Sequence, residues 1–204
     1  MSHESIPNII MSKLNSITTA DYIPWDEMQR LVRSLYEDGD YRFSLLVGCG
    51  CYFGLRISDL LTLRWSMLMG KDSFVLTEKK TGKHWTVRVN AECRSLIRDC
   101  HEALHISDDS MHCFSWNSSD KVYSVQRINS IFKDIKAKYR VSAEHFSTHS
   151  MRKTFGRRVV EHSGHNPEMA LIILSELFNH SSTSITRRYL GLRSDELLKV
   201  YDLL

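Results

Sequence analysis

The sequence predicts an α+β fold that is mainly helical, with a small antiparallel β-hairpin, and three observations predict it. Apolar residues recur at helical spacing through most of the chain. The period changes after Leu60, where Ser73-Phe74-Val75-Leu76-Thr77 and Trp85-Thr86-Val87-Arg88-Val89 are β-branched and aromatic, with Thr81-Gly82 supplying turn chemistry between them. A length of 204 residues with 42% hydrophobic content is enough for a single large domain.

Residues 1–20 are polar, rich in Ser, Thr and Asn and without a sustained period, so 1–21 is expected to be a flexible extension and 22–204 the folded domain. Pro24 opens a helix whose apolar side is Met28, Leu31, Val32 and Leu35, and Gly39 ends it. The apolar run Phe43 through Leu55 predicts a buried helix that delivers Arg56 at its end. Met67-Leu68-Met69 before Gly70 is a candidate third strand beside the hairpin. Further helices are expected over about 91–105, 124–139, 149–163, 167–178, 183–190 and 194–203. Ser124, Asn166 before Pro167, and Ser194 with Glu196 mark helix starts.

Charge is distributed unevenly. Residues 1–41 hold three basic and seven acidic side chains, whereas 121–158 hold ten Lys or Arg and two Asp or Glu. A local basic field of this kind suits a polyanion, although a solvated helical face accounts for the charge equally well. The cysteines at 49, 51, 93, 100 and 113 form no CxxC pair, and no signal peptide or membrane-length apolar run is present, so a reduced, cytoplasmic protein with no membrane association is expected. Cys93, Cys100, His101, His105, His112 and Cys113 match no common zinc spacing, and no metal or cofactor is expected.

Six residues carry candidate chemistry: Arg56, Lys80, His149, Arg152, His180 and Tyr189. His149 and Arg152, three apart, share one helix face. His180 and Tyr189, nine apart, would lie on opposite sides of one continuous helix, about 13 Å apart along its axis. They can share a site only if the helix breaks, and Ser181-Ser182-Thr183-Ser184 offers N-cap chemistry for that break. Asp59, one turn beyond Arg56, could pair with it or orient it. Taken singly, each has a plainer structural reading: a surface ion pair, a solubilising hairpin lysine, a packed tyrosine.

Together, and in this order, the residues resemble the tyrosine recombinase, or phage integrase, family across about 22–204. Gly54-Leu55-Arg56-Ile57-Ser58-Asp59 resembles its first-arginine segment. Glu78-Lys79-Lys80-Thr81-Gly82-Lys83 resembles its hairpin-lysine box, with Lys80 the best match. Thr148-His149-Ser150-Met151-Arg152 resembles its HxxR box, and Phe178-Asn179-His180 through Tyr189 its terminal box. Two departures stand out. Phe178-Asn179 replaces the usual Leu-Gly before the histidine, Asn also tolerating the left-handed conformation, and only some twenty residues precede the match where many members carry a DNA-clamping domain. The compact layout is similar to that of small DNA invertases.

The resemblance implies a DNA breaking-rejoining fold and site-specific recombination, whether integration, excision or inversion. Tyr189 would form a 3′-phosphotyrosyl link, without ATP or metal. Arg56 and Arg152 would stabilise the phosphate, Lys80 would protonate the departing 5′-oxygen, His149 would accept the tyrosine proton, His180 would donate to the phosphate, and Asp59 would be support behind them. Implied partners are double-stranded DNA, further copies of the chain in a tetramer on DNA, and accessory DNA-bending proteins, in a nucleoid-associated setting. The apolar stripe Leu197, Leu198, Val200, Tyr201, Leu203 and Leu204 could fold back in cis or dock on a neighbouring protomer. A type IB topoisomerase would use the same residue types, a catalytically silent DNA-binding regulator could share the fold, and a catalytic fragment of a longer protein would read the same way.

Overall fold

The computed structural model describes residues 20–116, 120–164 and 166–192. In chain order the elements are α1 (Trp25–Glu37), α2 (Tyr41–Phe53), α3 (Ile57–Leu60), α4 (Trp65–Leu68), β1 (Ser73–Thr77), β2 (His84–Arg88), α5 (Ala91–Ala103), α6 (Val125–Tyr139), α7 (Thr148–Glu161), α8 (Pro167–Phe178) and α9 (Thr183–Leu190). The strands pair antiparallel with Val75 opposite Thr86 and Thr77 opposite His84, as the turn chemistry at Thr81-Gly82 predicts.

The apolar run at 43–55 becomes α2, the central helix, which α1, α5 and α7 surround. Leu45, Val47, Cys49 and Cys51 have no solvent exposure, and every residue of α2 from Ser44 to Cys51 is buried, so this stretch has no solvent-facing side. The large core gathers Leu31 and Leu35 of α1, Ile97 of α5, Phe132 of α6 and Met151 of α7 around it. A second, smaller cluster lies on the other side of α7, built from Leu171, Leu174 and Phe178 of α8 and Leu190 of α9. Gly156 of α7 permits that approach, since a Cβ there would fall 2.5 Å from Leu190.

Predicted helix starts are present as caps. Ser124 accepts from Arg127 N, and Asn166 from Met169 N, each side chain satisfying an otherwise unpaired helical N–H. One expected element is different. Met67-Leu68-Met69 forms no third strand; Trp65–Leu68 is a helical turn, and the sheet has two strands. Trp65 and Leu68 lie three apart and both are fully buried, which a helical turn achieves on one face and an extended chain would place on opposite faces. Ala20 and Asp21 already belong to the packed body, with Asp21 N donating to His145 O at 3.1 Å. The predicted helix at 194–203 and its apolar stripe lie outside the described residues. No described helix is long and apolar enough to cross a membrane.

Candidate active site

The site forms where the ends of α2, α7, α8, α9 and the hairpin meet. Gly54, the C-cap of α2, has φ +62°, and a Cβ on it would lie 2.3 Å from the Phe155 ring. Glycine therefore lets the chain turn sharply against α7 and leave as the extended residue Arg56 (φ −65°, ψ 146°), the N-cap of α3. The same turn exposes Gly54 O, which accepts from Arg152 Nη1 at 2.5 Å. Arg152 projects from α7, whose start is fixed by a capping box between Ser147 and Ser150.

Both arginines rest on Phe178, the last residue of α8. Its carbonyl accepts from Arg56 Nη2 at 3.0 Å, and its ring lies 4.1 Å below the Arg152 guanidinium carbon. Arg56 also forms an ion pair with the buried carboxylate of Glu78. Burial lowers the Arg152 pKa to about 10, which leaves it cationic at neutral pH. Its Nη2 is buried and has no hydrogen-bond partner.

The break predicted between His180 and Tyr189 is present. Asn179 ends α8 in the left-handed conformation (φ 54°, ψ 47°), and Ser182 caps α9 by accepting from Ile185 N. His180 and Tyr189 are thereby brought edge to face with ring centroids 5.4 Å apart, and Tyr189 packs likewise on Phe178 at 5.7 Å. The Tyr189 hydroxyl is buried without a partner. Burial pushes its pKa up to about 12 against the opposing pull of Arg152 and Arg56. His180 Nδ1 meets Thr186 Oγ1 at 2.9 Å, and Thr186 Oγ1 meets Ser175 Oγ at 2.7 Å. Desolvation first, then the charges of Arg152, Arg56 and Lys80, lower the His180 pKa to about 4.

Lys80 is exposed at the hairpin tip, close enough for its charge to act on His180. The tip also touches the end of α8, where Lys83 Nζ donates to Asn179 Oδ1 at 3.4 Å. Asp59, 1% exposed, accepts from Lys79 N at 3.0 Å and so anchors the chain beside Lys80, while the carboxylate paired with Arg56 is Glu78. His149 stands exposed in the first turn of α7, where desolvation by its surroundings, then Arg152 and Lys153, lowers its pKa.

Arg56, Arg152, His180 and Tyr189 thus converge, with Lys80 and His149 at the rim. Sequence reasoning missed Glu78, Phe178, Ser175 and Thr186. Glu78 had a readable signal: the β1 alternation that buries Phe74 and Leu76 turns it inward, and an inward carboxylate calls for a cation. Of the basic residues in 121–158, Arg152, Lys153 and Arg157 are buried, so that segment is not merely a solvated face. Among the described residues no three of His, Cys, Asp or Glu stand where they could share a metal ion, and all five cysteines are buried thiols.

Fold and site together define a helical domain in which two arginines and a tyrosine converge beside a β-hairpin. The chain belongs to the phage integrase family, whose model matches residues 22–196. It is 30% identical over 152 residues to the probable integrase/recombinase YoeC of Bacillus subtilis (strain 168), covering 74% of this chain and 78% of that protein. It is 28% identical over 149 residues to tyrosine recombinase XerC of Xanthomonas axonopodis pv. citri (strain 306), covering 73% of this chain but 46% of that one. Among solved structures, the XerA recombinase superposes with a TM-score of 0.66 at 20% identity over 89% of this chain and 64% of its own. The XerH site-specific recombinase, bound to a palindromic difH substrate in a post-cleavage complex, does so with a TM-score of 0.64 at 16% identity over 98% of this chain and 60% of its own. The chain therefore spans less than two thirds of XerC, XerA and XerH.

Proposed function

We propose that the chain is a site-specific DNA recombinase in which Tyr189 attacks a scissile phosphate, forming a 3′-phosphotyrosyl link and releasing a 5′-hydroxyl. The supporting observation is a pair of unsatisfied buried groups, Tyr189 Oη and Arg152 Nη2, within electrostatic reach of each other and of Arg56. Leaving such groups unpaired costs about 1–3 kcal/mol each, and a phosphate between them would satisfy the guanidinium and meet the nucleophile.

In the pentavalent transition state negative charge gathers on the non-bridging oxygens. Arg56 and Arg152, already held by Phe178 and Gly54, would meet that charge without reorganising, and removing one such group commonly costs about 10²–10³ in rate. Lys80, on the exposed tip, would protonate the departing 5′-oxygen. His149 would accept the tyrosine proton, His180 would donate a hydrogen bond to the phosphate, and Asp59 would hold the hairpin's approach through Lys79. The bond energy passes from phosphodiester to phosphotyrosine and back, so rejoining needs no external energy source. Assembly of several protomers on double-stranded DNA belongs to the same proposal.

The test is covalent trapping on a nicked suicide DNA substrate. Wild type should become linked to DNA and Tyr189→Phe should not; an adduct with Tyr189→Phe overturns the nucleophile, and DNA binding with no wild-type adduct marks a silent regulator. Relaxation of supercoiled DNA without exchange between two sites would point instead to topoisomerase activity. Lys80→Ala should slow cleavage of ordinary DNA and spare a substrate whose 5′-oxygen is replaced by sulfur; equal slowing on both would overturn its role.

A further inference from the structure

Arg152 and Lys153 are consecutive residues of α7, about 100° apart around its axis, and the two cations are held on neighbouring rings. The Arg152 guanidinium carbon lies 4.1 Å from the centre of the Phe178 ring, and Lys153 Nζ lies 5.2 Å from the centre of the Tyr189 ring. Those two rings meet edge to face at 5.7 Å. The contacts close a circuit from Arg152 to Phe178 to Tyr189 to Lys153, whose last link is a peptide bond of α7. A closed circuit fixes the tyrosine ring relative to the guanidinium. Without Lys153 the ring keeps its contacts to Phe178 and His180, both at the end of α8, and loses its charged contact to the helix that carries Arg152.

Lys153 is itself held from the other side. It is 8% exposed, and a buried ammonium is costly unless it is partnered. Its Nζ donates to Ala20 O, in a segment, 20–23, that is strapped along α7. Thr154 Oγ1 accepts from Ile23 N at 2.9 Å and donates to Ile23 O at 3.0 Å. Arg157 lies 4.2 Å from the centre of the Tyr22 ring and donates to its hydroxyl at 3.0 Å. His145 N donates to Asp21 Oδ2 at 2.9 Å. Burial lowers the Lys153 pKa and the charge of Asp21 opposes that, so the strap supports the cation that it binds. The Lys153 charge also acts on His149, one turn earlier on α7.

We propose that Lys153 is a positioning residue for the nucleophile: held by the Ala20 carbonyl, its ammonium faces the Tyr189 ring and sets that ring in register with the Arg152 guanidinium. This rests on the phosphotyrosyl chemistry proposed above. It makes residues 20–23 part of the framework of the site, because a shift of the strap moves Lys153 and, through it, the ring. Lys153 acts on the ring face, so it governs the rate of attack once DNA is bound and leaves the affinity for DNA unchanged.

Lys153→Met keeps an unbranched apolar stem and removes the charge, whereas Lys153→Arg keeps a cation that can face the ring and meet the carbonyl. In single-turnover trapping at saturating DNA, Lys153→Met should form adduct about tenfold more slowly at unchanged affinity, within the roughly 10²-fold that a 1 Å misplacement of reacting groups can cost. Lys153→Arg should recover most of the rate. Tyr22→Ala, which loosens the strap, should slow the wild type and have no further effect in Lys153→Met. The contact is read apart from activity in the full chain labelled with ¹³C-lysine, where Lys153→Arg identifies the resonance. The ε-methylene protons of Lys153 should be shifted upfield by the Tyr189 ring, stay so in Tyr189→Phe and return in Tyr189→Leu. No upfield shift in the wild type, adduct formation by Lys153→Met at or above the wild-type rate, or a loss of affinity that accounts for its loss of rate overturns the proposal. Tyr22→Ala cleaving at the wild-type rate, or adding to Lys153→Met, overturns the role of the strap. An adduct in Tyr189→Phe overturns the nucleophile assignment instead and leaves the contact of Lys153 with the ring standing.

Discussion

Arg56 and Arg152 come from segments almost a hundred residues apart, yet both are seated on Phe178, one on its carbonyl at 3.0 Å and the other on its ring at 4.1 Å. A planar aromatic face supports a guanidinium without competing for its N–H donors, so those donors stay available to a phosphate. Phe178→Leu keeps an apolar side chain and removes the face. The expected result is a loss of about 1–2 kcal/mol in stability from imperfect packing, with a larger relative loss in cleavage rate than in stability. Chemical denaturation together with single-turnover trapping measures both. Cleavage at the wild-type rate would show that the ring serves packing alone.

The ion pair of Arg56 with Glu78 predicts an effect that depends on DNA. Glu78 is 5% exposed, so Glu78→Gln leaves a cation without its buried counter-charge and should lower free-protein stability by about 1–3 kcal/mol. A bound phosphate replaces the missing charge. Thermal unfolding with and without duplex DNA should therefore show the variant's deficit shrinking on the DNA complex, and an equal deficit in both states would deny that phosphate and Glu78 share Arg56.

Gly54→Ala tests the turn that joins the two arginine segments. Its φ of +62° costs an L-residue about 1–2 kcal/mol, and the new methyl meets the Phe155 ring at 2.3 Å. A total loss of about 2–4 kcal/mol is expected by urea unfolding. Phe155→Leu in the same chain should recover the steric part and not the backbone part, and full recovery would mean that the left-handed conformation is not retained.

Much of this arrangement is legible in the sequence because it depends on local rules. The β-branched runs around Thr81-Gly82 specify the hairpin, and the 3.6-residue period places His149 beside Arg152. The His180–Tyr189 break is legible because nine residues of unbroken helix would have separated them, and Asn179 and Ser182 supply its two caps. What was not legible depends on contacts across the chain. Phe178 could be seen only as a departure from a family pattern, since nothing local links it to Arg56, 122 positions away. Met67–Met69 read as a strand because three apolar residues carry no period, and the burial of Trp65 with Leu68 settles the matter only in three dimensions.

His180 gives a prediction for pH. Its pKa is about 4 in the folded chain against 6.5 when unperturbed, so the unfolded state binds a proton more readily. The depressed value contributes stability that is fully present above pH 6.5 and is lost as the pH falls through about 4. Allowing for solvent screening of a half-buried ring, the contribution is about 1 kcal/mol. His149, whose pKa is also lowered, acts in the same direction, so the two must be separated by substitution. His180→Gln should flatten the pH dependence of unfolding free energy between pH 6.5 and 4 relative to wild type, while His149→Gln leaves the His180 part in place. Phosphate in the site would oppose the depression by offsetting Arg56 and Arg152. DNA binding should therefore raise the His180 pKa and take up protons across the same interval, measurable as buffer-dependent binding heats. Proton release on binding that disappears in His180→Gln would show that the ring is not shielded from those arginines by the ligand.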